Sequence, residues 1–359
     1  MTEVNTADLV KLIGTPFISN KFHAPCDKYL EQVYEKAFSE RIAPLYLHIF
    51  KYEGWSDDLE ERFRFVQRRE KMTLNVLTEL AKNLNEWDET GYSIFKSIKP
   101  YPAIPNDTDV LIFGGRKEFE SALAYLYECG YIFHEWAPLQ TTLYDPRGKG
   151  KIGKGKKGGT YYIDVYSDIS TDYFLYINKN SLIPYIEKRE LNGTVIRNVQ
   201  KEIELSIILF HNVFPERTFQ LEHFYMPLYH LKDDGFDTNI MIEFAEEQRL
   251  VYAIAANLTI VEYIHNNVFG FVPEKISQLL DKWHRNEFEL DRFRKMGEKT
   301  PYMFSPRTFW MTFLHKIKDN AALKSLFVQG LHMLNPVFFM DVMASLKNRF
   351  SEKGIYHLE

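Results

Sequence analysis

The stretch Tyr92–Phe113, YSIFKSIKPYPAIPNDTDVLIF, constrains the fold more than any other part of this chain. An apolar run, Tyr92–Phe95, stops at Lys96-Ser97, and a second, Val110–Phe113, is entered through Asp107-Thr108-Asp109. A later run, Tyr161–Tyr166, alternates as a strand and carries one acid, Asp164, at its centre. Strand side chains alternate faces, so Asp107 and Asp109 point the same way, about 7 Å apart along the chain. Two carboxylates so placed suit one or two divalent cations. Asp164, on a neighbouring strand, would complete a cluster that repels itself unless a cation joins it.

The rest of the chain frames that stretch. Residues 1–24 carry no clear period and are expected as an irregular arm. Residues 26–50 read as helix through Tyr29, Val33, Phe38 and Leu45. Asp57 with Glu60 reads as a capping box for a long helix whose apolar line is Phe65, Met72, Val76, Leu80 and Leu84. Gly114-Gly115 turns the chain into a helix over 116–129, with Phe119, Leu123 and Leu126 on one face and Gly130 at its end. Tyr131–Trp136 and Thr141–Tyr144 are strand-like; a helix is expected around Asn180–Lys188 and a turn at Asn192-Gly193. From Val199 onward the pattern is helical. Ile203, Ile207 and Phe210 share one face; Ile240, Phe244, Val251, Ile254, Leu258 and Val261 share another; Pro306 follows a capping Ser305. At 359 residues the chain exceeds one compact core. The predicted class is α+β: a small mixed-sheet core over 91–198, flanked by a helical segment over 1–90 and an all-helical domain over 199–359.

Composition excludes several function classes. A net charge of −5 argues against a general nucleic-acid coat but not against a local basic site. Such a stretch exists: Arg147, Lys149, Lys151, Lys154, Lys156 and Lys157 lie among glycines, at the expected tip of a hairpin joining Thr141–Tyr144 to Thr160–Tyr166. It reads either as a clamp on the phosphates of a polyanionic acceptor, RNA above all, or as a solvated tip. Gly148–Lys154 fits the P-loop spacing, but Gly155 stands where Ser or Thr must bind magnesium, and the loop leads into a strand. Cys26 and Cys129 make no disulfide framework and no zinc spacing, so a reducing cytoplasm and no disulfide-linked partner are expected. No apolar run is long enough to span a bilayer and the N-terminus shows no signal-peptide pattern, which predicts a cytoplasmic protein without a membrane partner. The histidines show no ligand spacing; His211, within ILFHNVF, reads as a core or cleft-lining residue, and no carboxylate spacing joins His223 to His230.

The phrase FKSIKPYPAIPNDTDVLI, with PLYLHIFKYEGW before it and SALAYLYECGYIF after it, resembles the nucleotidyltransferases of the DNA polymerase β superfamily, and within it a large uncharacterised family of bacteria and archaea. The resemblance covers roughly residues 40–270 and is weak outside 92–166. It implies a strand, a small-residue turn, an Asp-x-Asp pair and a third Asp on a separate strand. Carried onto this chain, Asp107, Asp109 and Asp164 are the catalytic metal ligands, with Asp164 holding the metal that activates the acceptor hydroxyl or taking its proton. Lys96 and Ser97 hold the β- and γ-phosphates of a nucleoside triphosphate, and the cofactor is Mg2+ or Mn2+. The chain departs from the pattern at two places. The turn, usually Gly-Gly or Gly-Ser and often Lys-Gly in the nearer family, is Lys96-Ser97. Ala103, Ile104, Pro105 and Asn106 stand where relatives often carry an Arg. Three outcomes remain open from the residues: transfer to RNA or tRNA, transfer to a small molecule or protein, and a non-catalytic module that holds nucleotide or RNA on the same fold.

Overall fold

The computed structural model describes residues 4–18, 27–50, 55–87, 89–105, 107–146, 161–171, 173–340 and 342–343. Four helices open the chain: α1 (Thr6–Ile13), α2 (Asp27–Ser39), α3 (Ala43–Phe50) and α4 (Asp57–Trp87). The expected irregular arm is thus partly helical. The Asn5 side chain accepts the Asp8 N–H at its start, and Leu9, Val10, Leu12 and Ile13 are buried. The single run expected over 26–50 is two helices, broken at Arg41, whose φ of 59° is left-handed backbone. At the start of α4 the hydroxyl of Ser56 accepts the N–H of Leu59, so the cap lies one residue before the expected Asp57. Val76, Leu80 and Leu84 are buried as expected; Phe65 is exposed and Val66 is buried beside it.

The sheet elements follow as β1 (Tyr92–Phe95), β2 (Asp107–Ile112), α5 (Arg116–Glu128), β3 (Ile132–Ala137), β4 (Gln140–Tyr144), β5 (Tyr162–Tyr166), β6 (Ile169–Thr171), β7 (Phe174–Ile177), β8 (Ile186–Leu191) and β9 (Thr194–Val199). Seven of these strands form one mixed sheet in the order β3-β4-β5-β2-β1-β9-β8, and β6 pairs with β7 separately. The pairs β2–β5 and β1–β9 are parallel and the others antiparallel. The helix expected around Asn180–Lys188 is a 3-10 turn, Lys179–Tyr185, that runs into β8. Asn192 and Gly193 both have positive φ, which the tight hairpin between β8 and β9 requires.

Two apolar cores sandwich the sheet. Helices α4 and α5 cover one face, where Leu80 and Leu84 meet Tyr92, Ile94, Val110, Ile112, Ile163 and Val165. The pleat sends the alternate residues to the other face, so Phe95, Leu111 and Tyr166 join the second core with the C-terminal helices. Those helices are α6 (Lys201–Val213), α7 (Leu221–Lys232), α8 (Thr238–Glu247), α9 (Val251–Phe269), α10 (Glu274–Trp283), α11 (Glu287–Lys295), α12 (Pro306–Lys316) and α13 (Asn320–His332). Helix α9 is the axis, packing against α1, α6, α10, α11 and α12, and it is apolar nearly all round because it is enclosed nearly all round. The face expected to run from Ile240 to Val261 is split between α8 and α9 at Arg249, again a left-handed non-glycine residue. The region is not wholly helical: Thr218–Phe219 pairs with Tyr302–Met303. Ser305 caps α12 ahead of Pro306, as expected. Among the described residues no helix is long and apolar enough to cross a membrane.

Candidate functional site

The pairing of β2 with β5 sets Asp109 directly opposite Asp164, and Asp107 opposite Tyr162. The pairing of β1 with β2 sets Phe95 opposite Asp109. The turn leaving β1, Lys96-Ser97, therefore lies beside Asp109, and the five residues singled out in the sequence come together. They stand on the sheet face away from α4 and α5, because Thr108, Val110, Ile163 and Val165 are committed to the other side.

Lys96 has a φ of 57°, the left-handed conformation that the glycine of a Gly-Gly turn would take without strain. Its ammonium lies 3.2 Å from Asp109 Oδ2 and above the rings of Phe95 and Tyr166. Burial alone would lower the Lys96 ammonium; the Asp109 carboxylate, with Tyr176 and Asp107, outweighs it and raises the pKa. Ser97 is buried. Its hydroxyl donates to the Phe95 carbonyl at 2.9 Å and accepts the Asp109 N–H at 3.0 Å, which fixes the turn against β2.

Asp107 and Asp164 line an open cleft with Thr142, Gln140, Tyr162, His134 and Glu135. Burial, then the carboxylates of Asp109 and Asp164, push Asp107 up to about 7. Burial and Asp109 also raise Asp164, against the hydroxyl of Thr142, which donates to Asp164 Oδ1 at 2.6 Å. As the side chains stand, no group of three or more His, Cys, Asp or Glu among the described residues is arranged to hold a metal ion. Lys96 already supplies one counter-charge to Asp109. The oxygen donors of Asp107 and Asp164, crowded and raised, are of the kind a hard divalent cation takes.

Several neighbours had no signal in the sequence. Thr142 is identified only by the β4–β5 register. Glu204, buried in the first turn of α6, accepts the backbone N–H of Lys96. His211, read as a core or cleft-lining residue, meets the Tyr176 hydroxyl at 3.0 Å through Nδ1 and Glu216 at 3.5 Å through Nε2, and burial lowers its pKa. His223 and His230 are buried in α7, each lowered by that burial to about 4. Arg147, Lys149, Lys151, Lys154, Lys156 and Lys157 lie outside the described residues, as does Cys26. Compared with known proteins, the chain matches no family model, no curated protein and no solved structure.

Proposed function

We propose that this chain is a metal-dependent nucleotidyltransferase, moving a nucleoside monophosphate from a nucleoside triphosphate to an acceptor hydroxyl. The observation that carries the reading is the register of β2 and β5, which sets the buried Asp109 against Asp164 on one sheet face with Asp107 one step along, Asp107 and Asp164 opening into the cleft. In the reaction the acceptor oxygen bonds to the α-phosphorus, the bond to the departing pyrophosphate oxygen breaks, and the hydroxyl proton leaves to a carboxylate, a role we give to Asp164. Mg2+ or Mn2+, held by Asp107, Asp109 and Asp164, would neutralise charge on the phosphoryl oxygens. Lys96 and Ser97 shape the phosphate end of the site.

The test incubates the purified protein with each labelled triphosphate, Mg2+ or Mn2+, and total RNA or protein extract, and looks for labelled product. Asp107→Asn and Asp109→Asn should each abolish labelling while leaving the fold intact by circular dichroism. Unchanged labelling in either variant would remove the assignment. One observation favours a second reading: the Lys96 ammonium already compensates Asp109, as in a module that binds nucleotide or RNA without turnover. That reading predicts triphosphate binding with no labelled product under any metal.

A further inference from the structure

The outer hairpin of the sheet holds a feature that this reading does not use. Between Phe133 and Glu135 the β3–β4 register slips: Phe133 faces Leu143 while Glu135 faces Thr142. Two residues, His134 and Glu135, thus oppose one, and a bulge re-aims side chains. Here both line the cleft that holds Asp107 and Asp164. The His134 ring packs against that of Tyr162 in a tilted pair, 4.7 Å between centroids and 41° between planes. His134 is itself exposed, which leaves a ring face open.

The order of strands sets donor and acceptor apart. The turn Lys96-Ser97 leaves β1, Asp107 and Asp109 lie on β2, Asp164 on β5, Thr142 on β4, and His134 and Glu135 on β3. A triphosphate seated toward β1, as the proposed function has it, leaves β4 and β3 to the acceptor. We infer that the exposed His134 ring, held against Tyr162, is the seat for the acceptor's base, and that the acceptor is a nucleoside at a single-stranded RNA end. The inference rests on the nucleotidyltransferase reading.

Spacing chooses the acceptor class. Tyr162 and Asp164 point to the same face two residues apart, about 7 Å. That is the reach of a sugar between a base and its hydroxyl. A phenol carries its hydroxyl on the ring and would hold it short of Asp164. A base inside a duplex has both faces covered, whereas an unpaired end offers one to an aromatic side chain. Glu135 and Gln140 offer polar partners at the rim, and no Lys or Arg among the described residues lines the cleft. An RNA end should therefore bind only when divalent cations offset the carboxylates.

The experiment measures binding of 5′-fluorescent hexa-adenylate and hexa-uridylate, with a blunt duplex as control, to wild type, His134→Ala and His134→Phe. It is run with Mg2+ and with EDTA, and binding of each of the four triphosphates is titrated in parallel. The expected result is single-strand binding in Mg2+ only, weakened roughly 5- to 100-fold by His134→Ala. His134→Phe should restore it to within about threefold, and triphosphate affinity should be the same in all three proteins. Equal hexanucleotide affinity in wild type and His134→Ala overturns the inference. So does triphosphate binding without any single-strand binding, an outcome that leaves the transferase reading standing. Failure to bind any triphosphate overturns the transferase reading and takes this inference with it.

Discussion

At the scale of single residues, the site turns on Lys96. Left-handed backbone costs a side chain-bearing residue about 1–2 kcal/mol, and the ion pair with the buried Asp109 holds Lys96 there. Two substitutions separate the terms. Lys96→Gly removes the strain and leaves Asp109 without a counter-charge; Lys96→Met removes the charge and keeps the strain. In EDTA the order of thermal stability should be wild type, then Lys96→Gly, then Lys96→Met, with about 1 kcal/mol between the variants. Mg2+ should raise the melting temperature of both variants more than that of wild type, since a bound cation replaces the lost ammonium. A Lys96→Met protein as stable as wild type in EDTA would show that the pair contributes nothing. The spacing of Asp107 and Asp109 was legible because strand alternation depends on neighbours alone. The conformation of Lys96 was not, because its partner lies a strand away and propensity would put glycine there.

At the scale of elements, α6 and the β1 turn are joined by Glu204. Burial pushes its carboxyl up to about 7 from an ordinary 4.5, against the Lys99 ammonium and the Lys96 N–H, which lower it. Between those two values the folded protein holds a proton that the unfolded chain has released. Stability should therefore fall as pH rises from about 4.5 to about 7, by about 3 kcal/mol at most. Urea titrations across that range should show the slope flattened in Glu204→Gln; a slope identical to that of wild type would mean Glu204 is ionised in the folded state. The elements β1, β2, β4, α5 and β5 were legible through their buried faces, and the exposed β3 through its aromatic residues Phe133 and Trp136. Strand β8 was misread because IEKREL is exposed along most of its length and has no apolar alternation to show. The helix breaks at Arg41 and Arg249 were missed because neither glycine nor proline marks them.

At the scale of the whole molecule, the division into helical ends and a sheet-bearing middle followed from periodicity. The strand order did not, because nothing local in Thr194–Val199 says that it docks beside Tyr92–Phe95. That pairing makes the sheet depend on distant segments: Ile94 meets Asn198 across the chain. A fragment of residues 1–185 carries Asp107, Asp109, Asp164, Lys96 and Ser97 but leaves the β1 edge bare. It should give no protease-resistant core and no triphosphate binding, measured by limited proteolysis and titration against the full chain. A resistant fragment with full-length affinity would show that β9 only decorates the sheet.

The same β1–β9 pairing bears on synthesis. The ribosome releases every candidate site residue by Asp164, yet the strand that closes the β1 edge ends at Val199. At about 5–20 residues per second, the nascent chain passes some seconds with a crowded acidic face and an unpaired strand edge. An exposed edge is a template for pairing with another chain. Pauses in translation after Asp164 has emerged from the ribosome but before Val199 has should therefore favour aggregation, and pauses after Val199 has emerged should not.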